Sequence, residues 1–380
     1  MIYLDNNATT KVLPEVLEAM LPYFDEGYFN PTSLAADLNG IREPLNLAVE
    51  SLAFMLNASP DEFTLTSGAT ESNNWVLQSI ASERLRTTGS CHILISAIEH
   101  PSIIETAEEL SKRDTRIGVG YIPVDSNGVL DLDSLHRMIR PDTSLVSIML
   151  ANNESGVIQP VLEASKAVKN MNDRCLFHTD ATQAIGKVPV DLQTLNAVDL
   201  LSLSSHKFYG PKGIGALFIR RRTNLESWMH GGSQQNGRRA GTENPALAAG
   251  LVKAIEFAQD NLHIHSKSIA VIRDDFETRI TKTHPSIRII GANALRLPNT
   301  SLVLLPDHEG EMIVHALLER GIATSTGSAC ANGSDRPSHV VTAMGIPYQL
   351  ARNTLRFSLS CFTREADIYS CVNEITAILK

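Results

Sequence analysis

Cysteine is scarce in this chain of 380 residues. The five present, at positions 91, 175, 330, 361 and 371, form no CxxC pair. An odd number at wide spacing excludes a disulfide framework, and it leaves no structural zinc or iron–sulfur signature, so no metal is expected. Positive charge is also short. There are 33 Lys and Arg against 42 Asp and Glu, a formal net charge of -9. That balance argues against direct nucleic-acid binding or attachment to an anionic membrane. No apolar run approaches the roughly 18 residues of a membrane span. The opening MIYLDNNATT lacks the basic and apolar regions of a signal peptide, so a reducing, cytoplasmic location is expected. Two nucleotide-binding patterns, GxxxxGK[ST] and GxGxxG, are missing as well.

What remains is an ordinary globular composition, 43% apolar and 20% charged. The length favours two domains. Short apolar runs predict strands over 63–66, 92–96, 117–122, 145–149, 176–178, 200–202 and 215–219. Helical periodicity lies between several of them, at 41–56 and 161–171 for example. This alternation predicts an α/β fold with a mostly parallel sheet. After about residue 246 the pattern becomes a long helix to about 280, a strand at 299–305, a helix at 310–319 and a last helix at 365–379. The expected division is a large domain over 15–255 and a smaller α+β domain from 1–14 and 256–380.

Several strand ends carry chemistry. In Thr66-Ser67-Gly68-Ala69-Thr70-Glu71 a strand meets a helix through small hydroxylated residues. Such a junction suits a phosphate, and it equally suits an N-cap formed by Thr66 or Ser67. Lys207, in Ser204-Ser205-His206-Lys207, follows a strand at the edge where α/β domains bind ligands. A desolvated lysine there is able to form a Schiff base; a surface turn is the plainer reading. Asp180 ends another strand, where a carboxylate can face a heteroaromatic nitrogen or cap a helix beginning at 181. His100 and the polar run Asn152-Asn153-Glu154-Ser155-Gly156 sit at further strand ends. Cys330 lies among small residues, Ser328-Ala329-Cys330-Ala331-Asn332, which predicts exposure. Cys91, Cys175 and Cys371, with Cys361 less clearly, read as buried, inert thiols.

The order of these motifs resembles that of the cysteine desulfurases of the class V aminotransferase fold, in the branch with a long catalytic-cysteine loop. The motifs are Leu4-Asp5-Asn6-Asn7-Ala8-Thr9-Thr10, Ser67 to Asn74, Glu99-His100, Asn152 to Gly156, His206-Lys207, Arg239 to Asn244, Gly327-Ser328-Ala329-Cys330 and Arg356-Phe357-Ser358. The resemblance implies pyridoxal 5'-phosphate bound covalently at Lys207, which also moves the substrate Cα proton. It implies Asp180 at the pyridine nitrogen, Gln183 at the phenolic oxygen and His100 stacked on the ring. Ala69, Thr70, Ser204 and His206 would surround the phosphate, joined by Thr242 from the second subunit of a homodimer. Asn152 would lie near the ring oxygen and substrate, and Arg356 would hold the substrate carboxylate. Cys330 would take sulfur from L-cysteine as a persulfide, leave L-alanine, and pass the sulfur to an acceptor protein. The recipients implied are iron–sulfur cluster assembly, tRNA thiolation or DNA phosphorothioation.

Two positions depart from the family pattern: Ala35 stands where a histidine is usual, and Gln235 where the glycine-rich run often has glutamate. Rival readings are a selenocysteine lyase of the same fold and a catalytically silent scaffold for a sulfur-transfer complex. Retention of Lys207, Asp180, Arg356 and Cys330 together argues against the scaffold.

Overall fold

The computed structural model describes residues 1–327 and 337–380. Cys330 therefore lies outside the described residues. Among the described residues, twelve strands form three sheets: β1 Ile2–Tyr3, β2 Phe63–Thr66, β3 Cys91–Ser96, β4 Ile117–Ile122, β5 Thr143–Ser147, β6 Leu176–Asp180, β7 Leu200–Ser204, β8 Gly215–Ile219, β9 Arg288–Ile290, β10 Thr300–Leu304, β11 Ile322–Ala323 and β12 Thr354–Ser358. Seven of them make the large sheet, in the order β2-β8-β7-β6-β5-β3-β4. Strands β7, β6, β5, β3 and β4 pair in parallel, while β8 is antiparallel to both of its neighbours.

The sheet is buried on both faces because its strands are apolar at successive positions rather than alternately polar. Leu94, Val146, Phe177, Leu201 and Leu203 pack on one face with Leu45, Ala48 and Leu52 of the helix Glu43–Leu56 and with Ala248, Leu251 and Ile255 of the helix Pro245–Thr283. Ile93, Ile95, Leu145, Leu200 and Leu217 point the other way, onto Trp75, Val76 and Ile80 of the helix Ala69–Thr87 and Ile103 and Ala107 of the helix Pro101–Arg113. This period of two within each strand assigns every side chain its layer.

A second core gathers Phe276 and Ile280 with Leu355, Phe357, Ile368 and Ile375 around the antiparallel sheet β12-β10-β9. The helix Pro245–Thr283 runs through position 255 unbroken, its first half on the large sheet and its second in this core. The N-terminal residues lie in the same region: β1 pairs with β11, and Asp5 bridges to Ser358. One strand is offset from its expected span. The run 145–149 forms β5 as Thr143–Ser147, because Met149 N leaves the sheet to donate to Glu99 Oε1. Among the described residues, no helix is long and apolar enough to cross a membrane.

Candidate active site

A cleft of about 1340 Å³ opens where the parallel strands end. Its wall is built from the segments that follow β2 (Ser67 to Glu71), β3 (Ala97, His100), β5 (Met149, Ala151, Asn153, Glu154), β6 (Asp180, Thr182, Gln183) and β7 (Ser204, His206, Lys207). Asn7, Ala8, Pro337 to His339 and Arg356 close the opposite side. Carboxyl ends of parallel strands are the usual ligand edge of such a sheet, because loops diverge there and leave a crevice.

Lys207 leaves β7 in a single helical turn, Ser205–Lys207, and its Nζ donates to the main-chain oxygens of Asn7 at 2.7 Å and Ala8 at 2.8 Å. Gln183 Nε2 donates to the same Asn7 oxygen at 3.0 Å. Across the cleft floor, Asp180 accepts from Asn73 Nδ2 at 2.8 Å through one carboxylate oxygen and from Thr182 N at 2.9 Å through the other. The second bond caps a run of turns over 182–187 rather than the helix expected at 181, and the carboxylate still lines the cleft. Asn73 also donates to Ser102 Oγ, which bonds His100 Nδ1 at 2.9 Å. Asp180, Asn73, Ser102 and the half-buried His100 thus form one hydrogen-bonded chain. Burial, then the nearby Lys207 and His339, hold His100 towards its neutral form against the pull of Asp180.

The helix Ala69–Thr87 begins at Gly68, with no side-chain cap. Neither Thr66 nor Ser67 is the N-cap: Thr66 Oγ1 bonds Ser72 Oγ at 2.9 Å, and Ser67 N is taken by Glu71. The reason lies in Gly68, whose φ of 146° lets the chain turn in ahead of the helix. A Cβ there would come within 3.2 Å of Ser204 Oγ. The intrahelical ladder starts at Ser72 N, so the N–H groups of Ala69, Thr70 and Glu71 face forward at the positive end of the helix dipole. Ser204 and His206 stand beside them in the same cleft. His206 is pushed down to about 4, mainly by burial and then by Lys207, Lys212 and Lys187, so it is a neutral hydrogen-bonding group.

Arg356, on β12, is almost wholly buried and reaches Asp5 Oδ1 at 2.6 Å, Asn153 O at 3.0 Å and Gly327 O at 3.1 Å. Its Nε has no partner among the described residues, and neither does the buried Thr182 hydroxyl. Glu154 is buried close by and accepts from Ser338 Oγ, while His339 bonds the main-chain oxygen of Glu99 at 2.9 Å.

One expected site residue stands elsewhere. Asn152 is completely buried behind the wall, where its side chain holds the loop: Nδ2 donates to Ile98 O, and Oδ1 accepts from Glu154 N and Ser155 N. Thr242 is exposed and is not among the residues lining the cleft of its own chain. The departures from the family pattern also have structural settings. Ala35 is exposed on a short helix, Leu34–Leu38. Gln235 accepts from Leu65 N at 2.9 Å and donates to Glu243 Oε1, so a glutamate at 235 would set two carboxylates against each other.

Asn73, Ser102, Asn7, Asp5 and Thr182 had no role in the sequence reading. Asn73 carried a signal: it lies one turn beyond Thr70 and is polar on a helix face that is otherwise buried. Asn7 acts through its main chain, which no side-chain pattern reveals.

The donor set fits pyridoxal 5'-phosphate. An amine (Lys207), a carboxylate (Asp180), an amide (Gln183) and a cradle of free N–H and hydroxyl groups converge on one cleft. The unpartnered Thr182 hydroxyl and Arg356 Nε add polar groups ready for a ligand.

Comparison with known proteins agrees with this chemistry. The aminotransferase class-V model matches residues 2–370. The chain is 40% identical over 381 residues to the cysteine desulfurase IscS of Clostridium botulinum (strain Hall), covering 100% of this chain and 94% of that protein. Among solved structures, a NifS-like protein superposes with a TM-score of 0.92 at 36% identity, covering 100% of this chain and 99% of the other. A structure described as SspA in complex with cysteine gives 0.83 at 33% identity, over 96% and 100%. The chain belongs to the class-V aminotransferase family and, within it, to the pyridoxal-phosphate-dependent cysteine desulfurases.

Proposed function

We propose that this enzyme desulfurates L-cysteine, with Lys207 as the cofactor lysine and Cys330 as the sulfur carrier. The observation that supports the reading is the meeting of Lys207 Nζ and Gln183 Nε2 on the Asn7 carbonyl, in a cleft whose far side presents Arg356. Bound at Lys207, pyridoxal 5'-phosphate supplies the electron sink that makes a substrate Cα–H acidic and the bond to sulfur breakable. The protein's share is placement and proton handling. Arg356 binds the substrate carboxylate and fixes which bond faces Lys207. Lys207 Nζ takes the Cα proton, and the Asn7 and Ala8 carbonyls hold that amine in place. Asp180, kept in line by Asn73, offers its charge to the ring nitrogen, and neutral His100 covers the ring. The helix start at Ala69–Thr70, Ser204 and His206 receive the phosphate, aided by Thr242 of a second subunit. In the sulfur step the Cys330 thiolate bonds to the substrate sulfur. The Cβ–S bond breaks with its electron pair left on the substrate, which takes up protons and leaves as L-alanine, and Cys330 keeps a persulfide.

A homodimer is supported by the exposed position of Thr242 and by exposed apolar side chains at Leu17, Leu21, Phe24 and Phe54. Residues 15–255 would form the cofactor-binding unit, and 1–14 with 256–380 the smaller one, in keeping with the two cores. Four free cysteines among the described residues, and a persulfide that needs thiol chemistry, favour the cytoplasm. The sulfur then passes to an acceptor protein serving iron–sulfur assembly, tRNA thiolation or DNA phosphorothioation.

Intact-protein mass spectrometry after addition of L-cysteine, with alanine measured in the same sample, tests the reading. Expected are a gain of about 32 Da on Cys330 and matching alanine. Cys330→Ser should retain cofactor and lose the adduct, and Lys207→Ala should lose both products. An adduct that persists in the Cys330→Ser enzyme would overturn the assignment.

A further inference from the structure

Beside the cofactor wall lies a second lysine that the mechanism above leaves unused. Lys187 follows β6 in the same turn as Gln183, and it is buried between that turn and the helix Pro245–Thr283, where Ser266 Oγ donates to its main-chain oxygen at 2.6 Å. Its Nζ has one partner among the described residues, Gln183 Oε1, at 2.6 Å. No carboxylate of the described residues forms an ion pair with it. A small cavity on its far side is lined by Tyr209, His265 and Asn299, which supply no negative charge at neutral pH. A buried, uncompensated amine is unfavourable, and stability alone would place an apolar side chain here. Burial, reinforced by Lys207 and Arg356, drives the group well below its ordinary value, towards a neutral amine that can still donate.

Gln183 is held from two sides as a result. The Asn7 carbonyl can only accept, so the amide nitrogen must face it, and the amide oxygen is left facing Lys187. One of the two N–H groups on Nε2 is used by Asn7. The other has no acceptor among the described residues, and Gln183 lines the cleft.

We propose that Lys187 is a positioning residue for the cofactor, holding the Gln183 amide so that its second N–H is delivered to the ring oxygen of bound pyridoxal phosphate. The proposal rests on the reading that Gln183 serves that oxygen. Without Lys187 the Gln183 oxygen is left buried and unpaired, and the amide leaves this orientation to find a donor. A donor at the ring oxygen favours the deprotonated cofactor, so weakening it raises the pH at which the visible band titrates.

The test is a pH titration of the visible absorbance of the holoenzyme for wild type, Gln183→Ala, Lys187→Met and the double variant, with melting temperatures alongside. Gln183→Ala is expected to raise the midpoint by about one pH unit, the equivalent of one hydrogen bond. Lys187→Met should raise it by at least half as much with an unchanged or higher Tm. The double variant should titrate like Gln183→Ala alone, because Lys187 acts through Gln183. Lys187→Gln, which keeps a donor without the amine, should return the midpoint to the wild-type position. A Gln183→Ala enzyme with an unmoved band removes the reading of Gln183 and the proposal with it. A moved band in Gln183→Ala but not in Lys187→Met overturns the proposal alone, as do shifts that add in the double variant. If Lys187→Met takes up no cofactor, Lys187→Gln decides: a midpoint near wild type supports the proposal, and one shifted as far as Gln183→Ala overturns it.

Discussion

Arg356 and Asp5 form a buried ion pair, Nη2 to Oδ1 at 2.6 Å, that ties the last strand of the small sheet to the N-terminal segment. The pair explains how a guanidinium that is almost wholly buried is held in place at the cleft. Breaking it by Asp5→Ala leaves an uncompensated buried cation and should lower stability by about 3 kcal/mol, read by chemical denaturation. Arg356→Lys keeps the charge and loses the planar fork. It should raise KM for L-cysteine at least about tenfold. An unchanged KM would remove Arg356 as the carboxylate site.

Glu99 gives the protein a pH dependence of unusual sign. Burial raises its carboxyl to about 8 from 4.5, outweighing the hydrogen bonds from Met149 N and Ser96 Oγ that lower it. Its second oxygen has no partner among the described residues. Between those two values the folded protein keeps a proton here that the unfolded chain has released, so stability falls as pH rises through the window. Glu99→Gln removes the titration. Its melting temperature should match wild type near pH 5 and exceed it by roughly 3 °C or more at pH 8.5. A difference that is flat across that range would show that Glu99 does not titrate there.

Gln235 and Glu243 should behave as a matched pair. Gln235→Glu places two carboxylates in contact and should reduce stability by about 1 kcal/mol. Glu243→Gln in the same chain should restore it, since the amide and the carboxylate then merely change places. Thermal unfolding of the two single variants and the double forms the cycle that checks this.

Thiol chemistry should be concentrated at Cys330. Burial raises Cys91 to about 11 and Cys175 and Cys371 to about 12, and Cys361 is also raised. At pH 8 Cys91, Cys175 and Cys371 hold a thiolate fraction on the order of one in a thousand or less. Iodoacetamide on the native protein should therefore modify one residue quickly, identified by peptide mapping as Cys330. Rapid labelling of Cys91, Cys175 or Cys371 in a Cys330→Ser protein would contradict their burial.

Much of this protein is legible in its sequence because the signals are local. The alternation of residues 93–95 and 200–203 between the two faces of the sheet follows from the period of two along a strand. The long helix after 245 follows from its apolar spacing and from Pro245 at its first turn, and the motifs at strand ends mark the edge where a parallel sheet leaves a crevice. Lys207, Asp180, His100 and His206 could thus be named before any fold was known, Gln183 and Arg356 came from the family resemblance, and all six line one cleft. Only the tertiary structure decided what holds them. The Asn7 carbonyl reaches Lys207 and Gln183 from about 200 residues away in sequence, Asn73 spans more than 100 residues to Asp180, and Asp5 meets Arg356 from the opposite end of the chain. These contacts depend on which strands pair and on where the N-terminal segment docks. No local pattern records either, since a main-chain oxygen has no side-chain identity and a lysine such as Lys187 looks the same in sequence whether it is buried or in water.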